Sequence, residues 1–182
     1  MEYDYNTLIQ RAREAPRGGP LIDPDSDHVT IEGDMTENVA AYCEVTGQRT
    51  PHGEGEMTRC LLESLAVKTA MTVERVEAIA GIDSEVLYVG GGGVRNELFC
   101  EMLASALDRT VRTGPVETTS VGNILTQAVA SDEIRDLDHG RRIVEDSIDV
   151  TEFEPTDVAY WERRRETLQR LLDRDGRSPL IE

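Results

Sequence analysis

Lysine is almost missing from this chain of 182 residues. Lys68 is the only one, and arginine supplies the rest of the 19 basic side chains. Against them stand 36 acids, for a net charge of −17. A field of that sign repels phosphate backbones and anionic headgroups, so neither nucleic acid nor a membrane surface suits it as a partner. An acid-rich, lysine-poor surface stays hydrated in concentrated salt, and salt screens its self-repulsion. The composition therefore favours salt adaptation over an ordinary acidic protein. Long apolar runs are missing as well; none approaches the ~20 residues of a bilayer-spanning helix. The first residues, MEYDYNTLIQ, place an acid where an export signal needs basic residues and an apolar stretch, so a cytoplasmic protein is expected. Cysteine is scarce and odd in number. Cys43, Cys60 and Cys100 make no CxxC pair and have no histidine at ligand spacing, which argues against a disulfide framework or a zinc knuckle and fits a reducing compartment. Cys60 and Cys100 sit among apolar neighbours and read as small buried hydrophobes. His28, His52 and His139 are isolated and read as surface residues.

What remains is enough to fold. Apolar residues make up 38% of the chain, in keeping with one domain over residues 1–175 and a loose tail at 176–182. A helix is expected from Tyr5 to Glu14, stopping before Pro16. The Gly-, Pro- and Asp-rich stretch 16–34 reads as a surface loop. Asp34 and Glu37 make a capping-box-like start for a helix to Val45, with Val39, Tyr42 and Cys43 inward and Thr46-Gly47 ending it. Glu56 to Ala80 has no breaker and carries apolar residues at helical spacing, including Leu65, Val76 and Ile79. It is expected to be a long helix buried over most of its circumference. Glu85 to Val89 reads as an inner strand. A helix over Asn96–Leu107 and a second strand over Thr110–Thr113 follow. A helix from about Ser120 should turn Val121, Ile124, Leu125 and Ala128 inward. A short helix near His139–Asp146 and an amphipathic one over Asp157–Leu172 complete a small parallel α/β unit with extra helices.

The most informative run is Leu87-Tyr88-Val89-Gly90-Gly91-Gly92-Gly93-Val94-Arg95-Asn96. Glycine between a strand and a helix permits positive φ and lets another molecule approach the backbone. Unpaired N–H groups at a helix start favour polar or anionic ligands. Asn96 can cap the helix or bond a ligand. Such turns also occur simply to pack a helix on a strand. A dinucleotide turn is a third reading: a third glycine is lacking at the usual spacing, and RTVRT at 109–113 offers arginine for a 2′-phosphate instead of an acid for a 2′-hydroxyl. The run GPVETTSVGN, Gly114 to Asn123, is the second unusual one. Gly122 costs a helix about 1 kcal/mol relative to alanine, so a close neighbour is expected there, either another helix or a bound base.

Together the two runs resemble the FGGY family of carbohydrate kinases. LYVGGGGVRNELF is similar to the turn that meets the adenosine end of ATP, and GPVETTSVGN to the strand-turn-helix that follows it. GDMTENVAAYCEVTGQ and GEMTRCLLESLAVK resemble the rhamnulokinase branch in particular, and the likeness runs from about Tyr3 to Trp161. The resemblance implies an actin-like (ribonuclease H-like) ATPase fold, of which this chain is an incomplete C-terminal domain. It implies ATP and Mg²⁺ as cofactors, with Mg²⁺ held mainly by the other half. The implied reaction of the full enzyme is phosphorylation of L-rhamnulose at its 1-hydroxyl. Carried over by position, Gly92 matches the glycine whose backbone meets the nucleotide and Asn96 an asparagine that reaches it, while Gly91 and Gly93 keep the turn open. Gly90 departs from the family, where a larger residue is usual, and a looser turn is expected. Gly122 and Asn123 would line the pocket by packing. The resemblance puts the catalytic aspartate and sugar contacts in the preceding half, so this chain alone is expected to be inactive and to meet sugar only through such a half. A non-catalytic nucleotide-binding module or remnant, or a dinucleotide-binding domain, stay open as alternatives.

Two further signals carry little. Asp23-Pro24-Asp25-Ser26-Asp27 mimics the start of a calcium loop, but His28 and Asp34 stand where glycine and glutamate belong, so a solvated loop is expected. Arg163-Arg164-Arg165, flanked by Glu162 and Glu166, reads as a solvated, salt-bridged face.

Overall fold

A computed structural model describes residues 4–174; the loose tail expected at 176–182 lies outside them. Helices α1 (Tyr5–Glu14), α2 (Asp27–Thr30), α3 (Met35–Val45) and α4 (Gly53–Ala80) come first. Strand β1 (Val86–Val89), helix α5 (Glu97–Leu107) and strand β2 (Thr110–Thr113) form the α/β unit. Helices α6 (Thr118–Ala130) and α7 (Leu137–Ser147), strand β3 (Glu152–Phe153) and helix α8 (Val158–Arg174) complete the order.

Carboxylates start several helices. Asp4, Asp34 and Asp136 accept backbone N–H bonds at the N-termini of α1, α3 and α7. Each satisfies donors that the helix itself leaves open and faces the positive end of its dipole. Asp34 bonds the amides of Thr36 and Glu37, as the capping pattern implies.

The core forms where α4, α5 and α8 meet the sheet. Leu98, Met102, Leu103 and Ala106 of α5 are buried there with Val67, Val111, Trp161, Leu168 and Leu172. A smaller cluster joins Ile22, Val39, Tyr42, Cys43, Met57 and Cys60. All three cysteines are free and buried. Burial pushes the thiol of Cys60 up to about 12 and that of Cys100 up to about 11.

The sheet has the order β1-β2-β3, with β1 and β2 parallel and β3 antiparallel to β2. The parallel pair matches the sequence pattern, whereas the antiparallel β3 has only two residues and left no periodicity to read. Among the described residues β1 pairs only with β2, so the expected inner strand stands at the edge of the sheet they form, and Tyr88 is 54% exposed. Two other expectations fail in the same way. The outer face of α4 leaves Leu65, Val76 and Ile79 exposed, and α6 has no buried residue, with Ile124 64% exposed. The main neighbour of α6 is α7.

The stretch 16–34 is the reverse case. It is a surface loop only in part: residues 16–18 and 30–34 are exposed, whereas Leu21, Ile22 and Asp23 between them are buried, and α2 lies within it. Gln48 brackets Leu21, accepting from its N–H at 3.0 Å and donating to its carbonyl at 2.7 Å. The Ile22 N–H reaches Ser64 Oγ at 2.9 Å. Asp23 is held by Lys68 at 2.7 Å, so it serves the core instead of a solvated loop. The arginine triplet also turns inward. Arg164 reaches Glu63 at 3.0 Å and donates to the Gly19 carbonyl at 2.8 Å. Arg165 pairs with Glu74 at 2.7 Å, and only Arg163 stays exposed. Glu63, almost fully buried, also accepts from Arg59 Nε at 2.7 Å and from the Tyr160 hydroxyl at 2.8 Å.

Candidate functional site

The two glycine-bearing runs meet in space. β1 and β2 run side by side, with Val89 paired to Thr113. Both chains then leave the sheet together, with the Gly114 N–H donating to the Val89 carbonyl at 2.7 Å. One step further, the Gly91 N–H donates to the Pro115 carbonyl at 3.0 Å and to Thr118 Oγ1 at 2.9 Å. Thr118 Oγ1 in turn donates to the Pro115 carbonyl at 2.6 Å. The turn after β1 and the start of α6 are therefore one hydrogen-bonded unit.

Gly90 shows why its position tolerates no side chain. A Cβ there would stand 2.3 Å from Thr118 Oγ1 and 3.2 Å from Thr118 Cβ. The expected looseness is thus corrected: the extra glycine lets the threonine press onto the main chain. Gly91 has φ +80°, a conformation that L side chains rarely adopt.

Gly92 and Gly93 differ. Both are exposed, neither has positive φ, and a Cβ on either would meet nothing within 4 Å. Nothing in the chain's own packing or backbone geometry demands glycine at these two positions. They open the short 3₁₀ turn Gly92–Arg95, and their N–H groups have no acceptor among the described residues. The result is a bare stretch of main chain presenting donors outward, suited to a flat or anionic ligand.

Asn96 closes the turn. It is 8% exposed and caps α5, with its Oδ1 accepting from the Phe99 N–H at 3.0 Å. Gly91, Gly92, Gly93 and Asn96 thus lie on one continuous turn. Gly122 and Asn123 do not pack as expected: both are exposed on α6, and no atom lies within 4 Å of a Cβ on Gly122. Sequence reasoning missed Thr118 as the residue that locks the two runs together. Only its place near the start of α6 hinted at a capping role.

The arrangement offers binding chemistry. Among the described residues no group of three or more His, Cys, Asp or Glu side chains is placed to hold a metal ion. The arginines of RTVRT are both engaged: Arg109 pairs with Glu77 at 2.7 Å and Arg112 with Glu152 at 2.7 Å, which disfavours a 2′-phosphate seat. A cavity of 840 Å³ lies between α4 and α8, and no residue of the glycine turn lines it.

A sequence profile described as the FGGY family of carbohydrate kinases, C-terminal domain, matches residues 2–131. The chain belongs to this family. Among curated FGGY relatives, the rhamnulokinase of Bacteroides thetaiotaomicron is 35% identical over 158 residues, 87% of this chain and 33% of that protein. The rhamnulokinase of Oceanobacillus iheyensis is 35% identical over 130 residues, 71% of this chain and 28% of that protein. The chain thus spans about a third of the length of the curated relatives it matches. Its fold is that of the actin-like FGGY kinases. Xylulose kinase from Rhodospirillum rubrum superposes with a TM-score of 0.62 at 20% identity, covering 94% of this chain and 34% of that one. Plasmodium falciparum glycerol kinase, solved with ADP, gives 0.62 at 16% identity, covering 98% and 34%. No helix among the described residues is long and apolar enough to cross a membrane.

Proposed function

We propose that this chain is the adenine-nucleotide-binding part of a rhamnulokinase-type sugar kinase, with ATP or ADP resting on Gly91, Gly92, Gly93 and Asn96. The observation that carries the reading is the bare main chain at Gly92 and Gly93, where no internal contact calls for glycine. A purine or ribose lying against that backbone supplies the missing reason. Thr118 and Pro115 hold the surface in place through the Gly91 amide, so little ordering is left to the moment of binding. Phosphoryl transfer also needs a positioned base, Mg²⁺ and a sugar hydroxyl in line. In this reading the rest of the kinase supplies them, the substrate is L-rhamnulose, and this chain by itself shows no turnover. A cytoplasmic setting and adaptation to concentrated salt complete the proposal, on the strength of the reduced thiols and the net charge of −17.

The test separates binding from folding. Gly92→Ala adds a methyl group into open space at a φ that alanine accepts, so its unfolding midpoint should equal that of the wild type or slightly exceed it. Calorimetric titration in molar KCl should nevertheless show ADP affinity reduced at least about tenfold, or 1.4 kcal/mol. Equal ADP affinity in both proteins, or preference for NADPH over ADP, would overturn the proposal.

A further inference from the structure

Arginine gathers at one place on an otherwise acidic molecule. A cleft of 390 Å³ between α1, α5 and the start of α8 is lined by Arg13, Arg17 and Arg59, with Glu101 as its one carboxylate among the described residues. On a chain with 19 basic side chains against 36 acids, three cations beside one acid reverse the prevailing charge. The carboxylates that pair with Arg17 and Arg59, namely Asp157 and Glu63, do not line the cleft. Leu98, Met102 and Trp161, all buried, give it an apolar floor, against which charges attract more strongly than in open water. Its volume falls within the range of small-molecule pockets, about 300–1,000 Å³.

Each arginine is held in place with donors to spare or donors weakly spent. Arg59, 8% exposed, gives Nε to Glu63 at 2.7 Å and Nη1 to the Ala12 carbonyl at 2.9 Å, while its Nη2 has no acceptor among the described residues. Arg17 sits over the Tyr160 ring at 4.0 Å and spends Nη1 on Asp157 at 2.6 Å. Arg13 gives both terminal nitrogens to Glu101, at 2.8 Å and 2.9 Å. Both side chains of that pair are 42% exposed, so it holds weakly. A carboxylate on an arginine fork occupies the place that a phosphate takes. Tetrahedral oxygens can meet several guanidiniums from different directions, which a planar carboxylate cannot. We propose that this cleft binds a small phosphate-bearing anion through Arg13, Arg17 and Arg59, with Glu101 yielding the fork of Arg13 as the ligand enters. No residue of the glycine turn lines the cleft, so the site stands apart from the nucleotide seat and does not depend on the kinase reading.

Calorimetric titration with inorganic phosphate and with glucose 6-phosphate, both in the same molar KCl, tests the site. Arg13→Gln and Arg17→Gln should each weaken uptake at least about fivefold. Glu101→Gln should tighten it about threefold, and that gain should vanish once Arg13→Gln is added, because the glutamate acts by holding the fork. Arg13→Gln and Glu101→Gln break only an exposed pair, so their unfolding midpoints should stay within about 2 °C of the wild type. Arg17→Gln also loses its stack on Tyr160 and should fall by no more than about 4 °C. Tighter uptake of the sugar ester assigns a ligand whose body covers the apolar floor, whereas equal or weaker uptake assigns the free ion. No uptake by the wild type or by Glu101→Gln would overturn the inference. So would uptake indifferent to the arginines, a Glu101→Gln gain that persists without Arg13, or a loss caused by Gly92→Ala, which would put the anion on the glycine turn.

Discussion

Replacing Gly90 by alanine is the sharpest probe of how the turn is built. The new Cβ would lie 2.3 Å from Thr118 Oγ1, so the hydroxyl must retreat by about 1 Å to reach ordinary contact, which begins near 3.4 Å. Threonine is β-branched and stiff, and this hydroxyl is held by the Gly91 N–H at 2.9 Å and by the Pro115 carbonyl at 2.6 Å. Moving it forfeits one or both bonds, at about 1 kcal/mol each, on top of overpacking strain of about 1–3 kcal/mol. The sum, about 2–5 kcal/mol, should lower the thermal midpoint on the order of 10 °C for a chain of this size. Thr118→Ala alone should cost about 1 kcal/mol, because the Gly91 N–H keeps its bond to Pro115. The double variant should then sit close to Thr118→Ala, giving a coupling as large as the Gly90→Ala loss itself, about 2–5 kcal/mol in urea unfolding. If the start of α6 opens independently of the core, the same loss appears as faster exchange at the Gly91 amide. The argument fails if Gly90→Ala unfolds and exchanges like the wild type, or if the two substitutions simply add.

Glu63→Gln removes the charge shared by Arg59, Arg164 and Tyr160, leaving two arginines without their buried partner; a loss of about 3 kcal/mol in urea unfolding is expected. The hydrogen bond from Arg109 holds the Glu77 carboxyl below the usual carboxylate range. Its stabilisation is therefore present above the unfolded pKa, about 4.3, and is lost as pH falls through the lower folded value. Arg109→Gln should flatten the fall of the thermal midpoint between roughly pH 5 and pH 3. With Cys60 and Cys100 pushed up to about 12 and about 11, each thiolate is about a thousandth of its population or less at pH 8. A disulfide reagent should therefore titrate these thiols only after urea is added. Rapid reaction of the folded protein would contradict the packing.

Local signals carried most of the element assignments. Asp34 before Glu37, the apolar stripe of α5 and the glycine turn each act within a few residues, and α1, α3, α5 and β2 lie where those signals put them. Burial was less legible. The stretch 16–34 has loop composition, but the groups that draw it inward, Gln48, Ser64 and Arg164, are 27, 42 and 145 residues from their partners in it. Nothing local announces such captures. Conversely, Leu65, Val76 and Ile124 have the spacing of core residues and are exposed. Periodicity records which face is apolar, not whether its cover belongs to the same stretch of chain. The candidate site was half visible: glycine and Asn96 marked the turn, whereas the lock between Gly90 and Thr118 joins residues that no pattern connects.

The carboxylate caps carry a consequence of their own. Thr7, Glu37 and His139 respectively supply the leading hydrogen bond that keeps Asp4, Asp34 and Asp136 ionised to lower pH than free aspartate. Protonation turns each from a charged anchor into a weak one, so α1, α3 and α7, in separate parts of the molecule, would begin to fray under a single acid trigger. In a chain so rich in acids, part of the surplus is structural: these aspartates pin helix fronts, and trading them for neutral residues to calm the surface would untie the ends first.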